Sequence, residues 1–139
     1  MSDKRADARN VSGTEARLAK PFGSRLDRTQ PLRFTFEGHP YVGFKGDTVA
    51  SALAASGQFV LSRSFKYHRA RGAVTMAGHD ANTLVQTPDN PNALADREPL
   101  TDGLSVNPVN VSGSLMRDRY RLLGWLSRFL PVGFYYKAF

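Results

Sequence analysis

Cysteine is absent from this 139-residue chain. Its absence excludes disulfides, a thiolate nucleophile and any zinc or iron–sulfur centre ligated by cysteine. Histidine is scarce: His39, His68 and His79 fall at no metal-ligand spacing, so no zinc site is expected. No apolar run approaches the roughly 20 residues that cross a bilayer. The N-terminus, "MSDKRADARN", is charged with no apolar stretch behind it, so no secretory leader is read and a cytoplasmic location is expected. The Asn-Val-Ser triplets at Asn10 and Asn110 are then chance matches to the glycosylation pattern. No G-x-G-x-x-G follows a strand, so no nucleotide site is expected.

What remains is an ordinary globular composition, 41% hydrophobic and 22% charged, with a net charge of +7 and a pI near 10.1. The length suits one domain with one core. The charge permits attraction to nucleic acid, membrane headgroups, an anionic cofactor or an acidic partner, and does not choose among them. Its densest cluster is "SFKYHRARG", residues 64–72, where Lys66, His68, Arg69 and Arg71 interleave with aromatics. Such interleaving suits stacking on bases. It equally suits a loop braced by its own charges or turned towards a neighbouring chain, with Gly72 giving a sharp turn after it. The bracing role is the one expected here. No nucleophile stands at a recognisable spacing from His68, so a catalytic set is not expected.

Organisation along the chain is uneven. Residues 1–30 are basic with little apolar periodicity and read as an arm, mobile or ordered by a partner. "LRFTFEGHPYVGF" alternates apolar and polar residues about a Gly-His-Pro turn and reads as a β-hairpin. "GDTVASALAASG" reads as a helix capped by Asp47 or Thr48, facing inward with Val49, Ala52 and Leu53, and ended by Gly57. "QFVLS" and "TLVQT" read as short strands flanking a loop over 64–82, "TPDNPNALADREP" as turns, and "GLSVNPV" as a closing strand. Leu115, Met116, Arg119, Leu123, Leu126 and Leu130 recur at helical spacing up to Pro131, predicting a C-terminal amphipathic helix. Its basic face allows a membrane-surface helix, but Trp125 and the aromatic tail "VGFYYKAF" favour packing on protein.

Hairpin, helix, strand, long loop and short strands is the order of a plant-ferredoxin β-grasp domain. In such domains the loop carries cysteines spaced C-x₄-C-x₂-C, with a fourth farther on. That spacing, laid on "RGAVTMAGHDANTLV", falls on Thr75, Asp80 and Thr83, with the fourth position near Asp96. None is a thiol, and hydroxyls or lone carboxylates do not replace soft thiolates around iron and sulfide. The expected fold is therefore α+β: a β-grasp, 2Fe-2S ferredoxin-like domain over 31–112 that lacks the cluster cysteines, with the helix and tail added over 113–139. No metal is expected.

"RLDRTQPLRFTFEG", "GDTVASALAASG", "SRSFKYHRARG", "AGHDANTLVQ", "TDGLSVNPVN" and "LPVGFYYKAF", in that order, resemble the N-terminal region of the alpha subunit of heterotetrameric sarcosine oxidase. Related small subunits of hydrogen cyanide synthase and opine oxidases keep the cysteines. The resemblance implies a non-catalytic structural or assembly domain of a flavoenzyme complex that oxidatively demethylates sarcosine or a related secondary amine. It implies that FAD, FMN, NAD and tetrahydrofolate are used by the whole complex and none is bound by this chain. The implied partners are the remaining alpha-subunit domains and the beta, gamma and delta subunits, with no membrane and no nucleic acid. The family chain is several times longer, so this one reads either as a separate small subunit or as a piece of a longer protein. The alternative from another class is a small basic module that binds anions, nucleic acid first among them.

Overall fold

The computed structural model describes residues 17–126 and 129. The chain opens with β1 (Asp27–Phe36) and β2 (His39–Lys45), paired antiparallel with Phe36 opposite His39. The two-residue turn between them is Glu37-Gly38, and both residues have positive φ, 52° and 74°. That is the hairpin turn whose twist matches the flanking strands. The turn expected at Gly-His-Pro thus starts one residue earlier, and His39 and Pro40 belong to β2. Pro40 is tolerated because β2 is an edge strand.

Helix α1 (Val49–Ala55) follows, capped by Thr48. Ser51 N–H donates to Thr48 Oγ1 and Thr48 N–H donates to Ser51 Oγ, a reciprocal cap. Gly57, at φ 77°, ends the helix: its N–H donates to the Ala54 carbonyl while Gln58 N–H reaches Leu53. Val49, Ala50, Ala52 and Leu53 are buried in the core.

Beyond α1 come β3 (Ser62–Arg63), β4 (Ala70–Arg71), a 3₁₀ turn (Ala81–Thr83), β5 (Leu84–Gln86), β6 (Ala93–Leu94) and β7 (Ser105–Pro108). The main sheet runs β2-β1-β7-β5-β6. β1 and β7 pair in parallel, and the other neighbours pair antiparallel. The closing strand expected at "GLSVNPV" is therefore central. Phe34, Phe36, Tyr41, Leu61, Val85 and Val106 meet α1 in a single core. β3 and β4 form a separate two-stranded ribbon, so the stretch 64–82 contains pairing that its lack of period did not predict. "QFVLS" pairs only from Ser62.

The segment read as an arm runs into this fold. β1 begins at Asp27, and Arg17 forms a two-pronged ion pair with buried Asp47, at 3.0 and 2.7 Å. Asp47 also accepts from Phe44 N–H and Ser51 Oγ, so it joins the end of β2, the start of α1 and the incoming segment. The order is supplied by the chain itself. Residues 1–16 lie outside the described residues.

The C-terminal helix is shorter than expected. α2 spans Arg121–Leu126, and residues 112–120 form a turn closed by a Gly113–Asp118 bridge. Gly113 has φ 101°, and Asp118 Oδ1 accepts from Ser112 N–H, a geometry that competes with helix. Leu115 is buried in the core while Met116, expected on the same face, is 64% exposed. The side chains of Leu123 and Trp125, and the aromatic tail, lie outside the described residues. Among the described residues no helix is long and apolar enough to cross a membrane.

Gly43 is where α1 lies closest to β2. A Cβ there would press into Ala52 Cβ and the Leu100 side chain. Gly43→Ala is expected to lower stability by roughly 1–3 kcal/mol, as overpacking does, measured by urea unfolding.

Candidate functional site

The loop after β4 carries a backbone that must be satisfied without regular structure. Two buried carboxylates do this. Asp80 Oδ2 accepts from the Val74 and Thr75 N–H groups at 2.6 and 2.9 Å, and Oδ1 accepts from Asn82 N–H at 2.8 Å and Asn82 Nδ2 at 3.1 Å. Asp96 Oδ2 accepts from the Gly78 and Asp80 N–H groups at 2.7 and 3.1 Å. Thr83 Oγ1 lies 3.1 Å from Asp96 Oδ1 and 2.8 Å from the Asp80 carbonyl, sharing its one hydrogen between them. Thr75 Oγ1 accepts from Ala77 N–H, closing the tip.

The four positions marked by the cysteine spacing therefore come together as one network. Asp80, Thr83 and Asp96 are buried, at 4%, 0% and 3% exposure. Burial alone would raise the Asp80 pKa, but the N–H groups of Thr75, Asn82 and Val74 outweigh it and hold the carboxyl at about 2. The group stays charged at all ordinary pH. Among the described residues no set of three or more His, Asp or Glu side chains is arranged to hold a metal ion.

The basic stretch is divided between inside and outside. His68 Nδ1 lies 2.7 Å from buried Asp118 Oδ2, a pairing by proximity that lacks the alignment of a hydrogen bond. Its ring also packs on Tyr120, centroids 5.1 Å apart. Lys66 and Arg69 both lie over the Tyr67 ring, at 5.3 and 5.2 Å. Arg69 and Arg71 are exposed, and Arg71 Nη1 donates to Asn82 Oδ1 at 3.2 Å. Gly72 does not serve a sharp turn. A Cβ there would collide with the Phe59 carbonyl, so glycine permits close passage of two backbones.

The residue that braces this region is Arg63, one position before the stretch. It is 7% exposed. Its Nε and Nη2 donate to the Leu115 carbonyl at 2.9 and 2.6 Å, and Nη1 donates to the His68 carbonyl at 2.7 Å. Asp118 Oδ2 stands 3.7 Å from Nε. Glu37 Oε1 accepts from Leu115 N–H at 2.5 Å, and Asn110 Nδ2 donates to the Arg63 carbonyl at 3.0 Å. Among the described residues the non-glycine positions with positive φ are Glu37, His68 and Asn110, and all belong to this clamp. Strain of this kind persists where surrounding contacts over-determine the backbone.

Fold and loop together define an α+β ferredoxin-like domain that carries no cysteine with which to ligate a cluster. The chain belongs to the family described as 2Fe-2S iron-sulfur cluster binding domain, matched over residues 29–111. It is 46% identical over 118 residues to sarcosine oxidase subunit alpha of Rhizobium meliloti (strain 1021), covering 82% of this chain and 12% of that one. It is 30% identical over 112 residues to the subunit alpha of Corynebacterium sp. (strain P-1), covering 81% of this chain and 11% of the other. The chain thus spans about an eighth of the length of the curated relatives it matches, and it resembles their ferredoxin-like N-terminal region. Among solved structures, L-proline dehydrogenase from P. horikoshii shares the fold, with a TM-score of 0.53 and 22% identity, over 72% of this chain and 17% of that one.

Two outcomes check this site. Arg63→Ala leaves buried Asp118 facing one cation fewer and two carbonyls undonated, and is expected to cost roughly 3 kcal/mol, whereas exposed Arg71→Ala stays within about 0.5 kcal/mol, by thermal or urea unfolding. Asp80→Asn turns an amide NH₂ towards N–H donors and is expected to cost roughly 2 kcal/mol. Because folding lowers the Asp80 pKa from 3.8 to about 2, its contribution is complete above about pH 4 and is lost as pH falls towards 2. The difference between wild type and Asp80→Asn should shrink over that window.

Proposed function

We propose that this domain is a structural and assembly element of a sarcosine oxidase-type flavoenzyme, a β-grasp module whose cluster loop has been rebuilt as a hydrogen-bonded one. The observation that carries the reading is the Asp80–Asp96 network. At the positions marked by the cysteine spacing, two carboxylates receive backbone N–H groups, and so hold the loop shape that metal holds elsewhere in the family. A loop kept in that shape without redox chemistry serves surface, not electron transfer. Thr75, Asp80, Thr83 and Asp96 are in this reading degenerate ligand positions. His68 braces the loop from inside, Arg71 is tied to it through Asn82, and Lys66 and Arg69 face a partner.

In the whole assembly, oxidative demethylation of sarcosine or a related secondary amine takes place on other domains or chains, with FAD, FMN, NAD and tetrahydrofolate held there. The partners are the remaining alpha-subunit domains and the beta, gamma and delta subunits. The test is co-expression of the chain with those components. Co-purification with flavin-containing chains, and no amine oxidation by the chain alone with or without added FAD, is the expected result. Turnover by the isolated chain would overturn the reading. So would the lack of any association combined with tight, steeply salt-dependent binding of mixed oligonucleotides, which would favour a phosphate-binding module.

A further inference from the structure

Between the β3–β4 ribbon and the start of β5 lies an open cavity of about 250 Å³. Its polar side is formed by Ser62, Ser64, Arg71, Asn82 and Asn110, and its apolar wall by Phe65, Leu84 and Val109. No carboxylate lines it. Arg63 also borders it, but that guanidinium is committed to the Leu115 and His68 carbonyls. The Arg71 guanidinium donates one hydrogen bond, to Asn82 Oδ1, and forms none of the ion pairs found among the described residues.

The surroundings aim this cation. Asn82 gives its Nδ2 to Asp80, so its Oδ1 is turned to Arg71, and the relay is anchored on a buried carboxylate. Ser64 Oγ accepts from Arg69 N–H, which leaves its own hydrogen to donate. Asn110 borders the cavity with its Nδ2 committed to the Arg63 carbonyl. One uncompensated positive charge and a free hydroxyl hydrogen thus face an apolar wall.

We propose that this cavity binds a small carboxylic acid, its carboxylate on Arg71 and Ser64 and its hydrocarbon body against Phe65, Leu84 and Val109. A single available cation matches a monoanion better than a dianionic phosphate. The planar guanidinium matches a carboxylate in two-pronged geometry. The volume lies below the 300–1,000 Å³ of drug-sized sites, so the ligand is small. The inference does not rest on the assembly role, since it concerns this chain's own cavity.

The test is a nitrogen-15 NMR titration of the full chain with benzoate, alongside benzamide as the neutral isostere and phenyl phosphate as the dianion. Benzoate should shift the amides of residues 62–65, 71, 82 and 110 saturably, with benzamide at least tenfold weaker. Arg71→Gln, at an exposed position, should keep its melting temperature and weaken benzoate at least tenfold. Failure of benzoate to shift these amides, equal shifts with benzamide, or unchanged binding in Arg71→Gln would each overturn the proposal. Tighter binding of phenyl phosphate than benzoate would overturn the choice of a carboxylate.

Discussion

A long irregular loop inside a small domain must find partners for its backbone N–H groups, and most of this structure follows from how that is met. In a cluster-binding relative a metal centre organises such a loop. Here Asp80 and Asp96 do so, accepting three and two backbone N–H groups at distances between 2.6 and 3.1 Å. An acceptor-only carboxylate is suited to the task, because its two oxygens offer about four lone-pair directions. Burial of the charge is offset by converging amide dipoles, and the low Asp80 pKa is the signature of that balance. Asn82 carries the network outward to Arg71, so loop shape and the cation at the cavity are linked.

The second fixed point is Arg63. It ties the ribbon to residues 112–118, just past the segment matched by the family, through the Leu115 carbonyl. Glu37 from the first hairpin holds the N–H of the same residue. Both polar groups of the Leu115 peptide are thus used while its side chain fills the core at 1% exposure. The chain thus leaves the sheet in a defined direction. Tyr120 and Leu122 then emerge exposed, at 52% and 59%.

Much of the framework was legible in the residues. The hairpin alternation, the Thr48 and Gly57 helix signals and the order of elements depend on local chemistry, and local chemistry is what a sequence displays. The spacing picked out Thr75, Asp80, Thr83 and Asp96, and the structure joins them in one hydrogen-bond network whose partners no spacing displayed. The Arg63 clamp was hidden. Arg63 sits beside a denser basic run that draws the eye, and Asp118 reads as one polar position on a helix. Their meeting joins residues far apart in the chain, and no local pattern announces it. The C-terminal helix was over-read for the related reason that periodicity ignores tertiary demands. The Leu115 backbone is needed by Arg63 and Glu37, and that need outweighs helical spacing. Gly72 was read as a turn because glycine's freedom is a local property, whereas its role here is the nearness of Phe59 across the ribbon.

The central claim, that carboxylates close the loop in place of a metal centre, is tested most directly by amide hydrogen exchange on the chain purified without added iron. The N–H groups of Val74, Thr75, Gly78, Asp80 and Asn82 should exchange slowly at neutral pH, and Asp80→Asn should release those of Val74, Thr75 and Asn82 first. Exchange of all five at the rate of an unprotected loop, or protection that appears only when iron and sulfide are bound, would contradict the account.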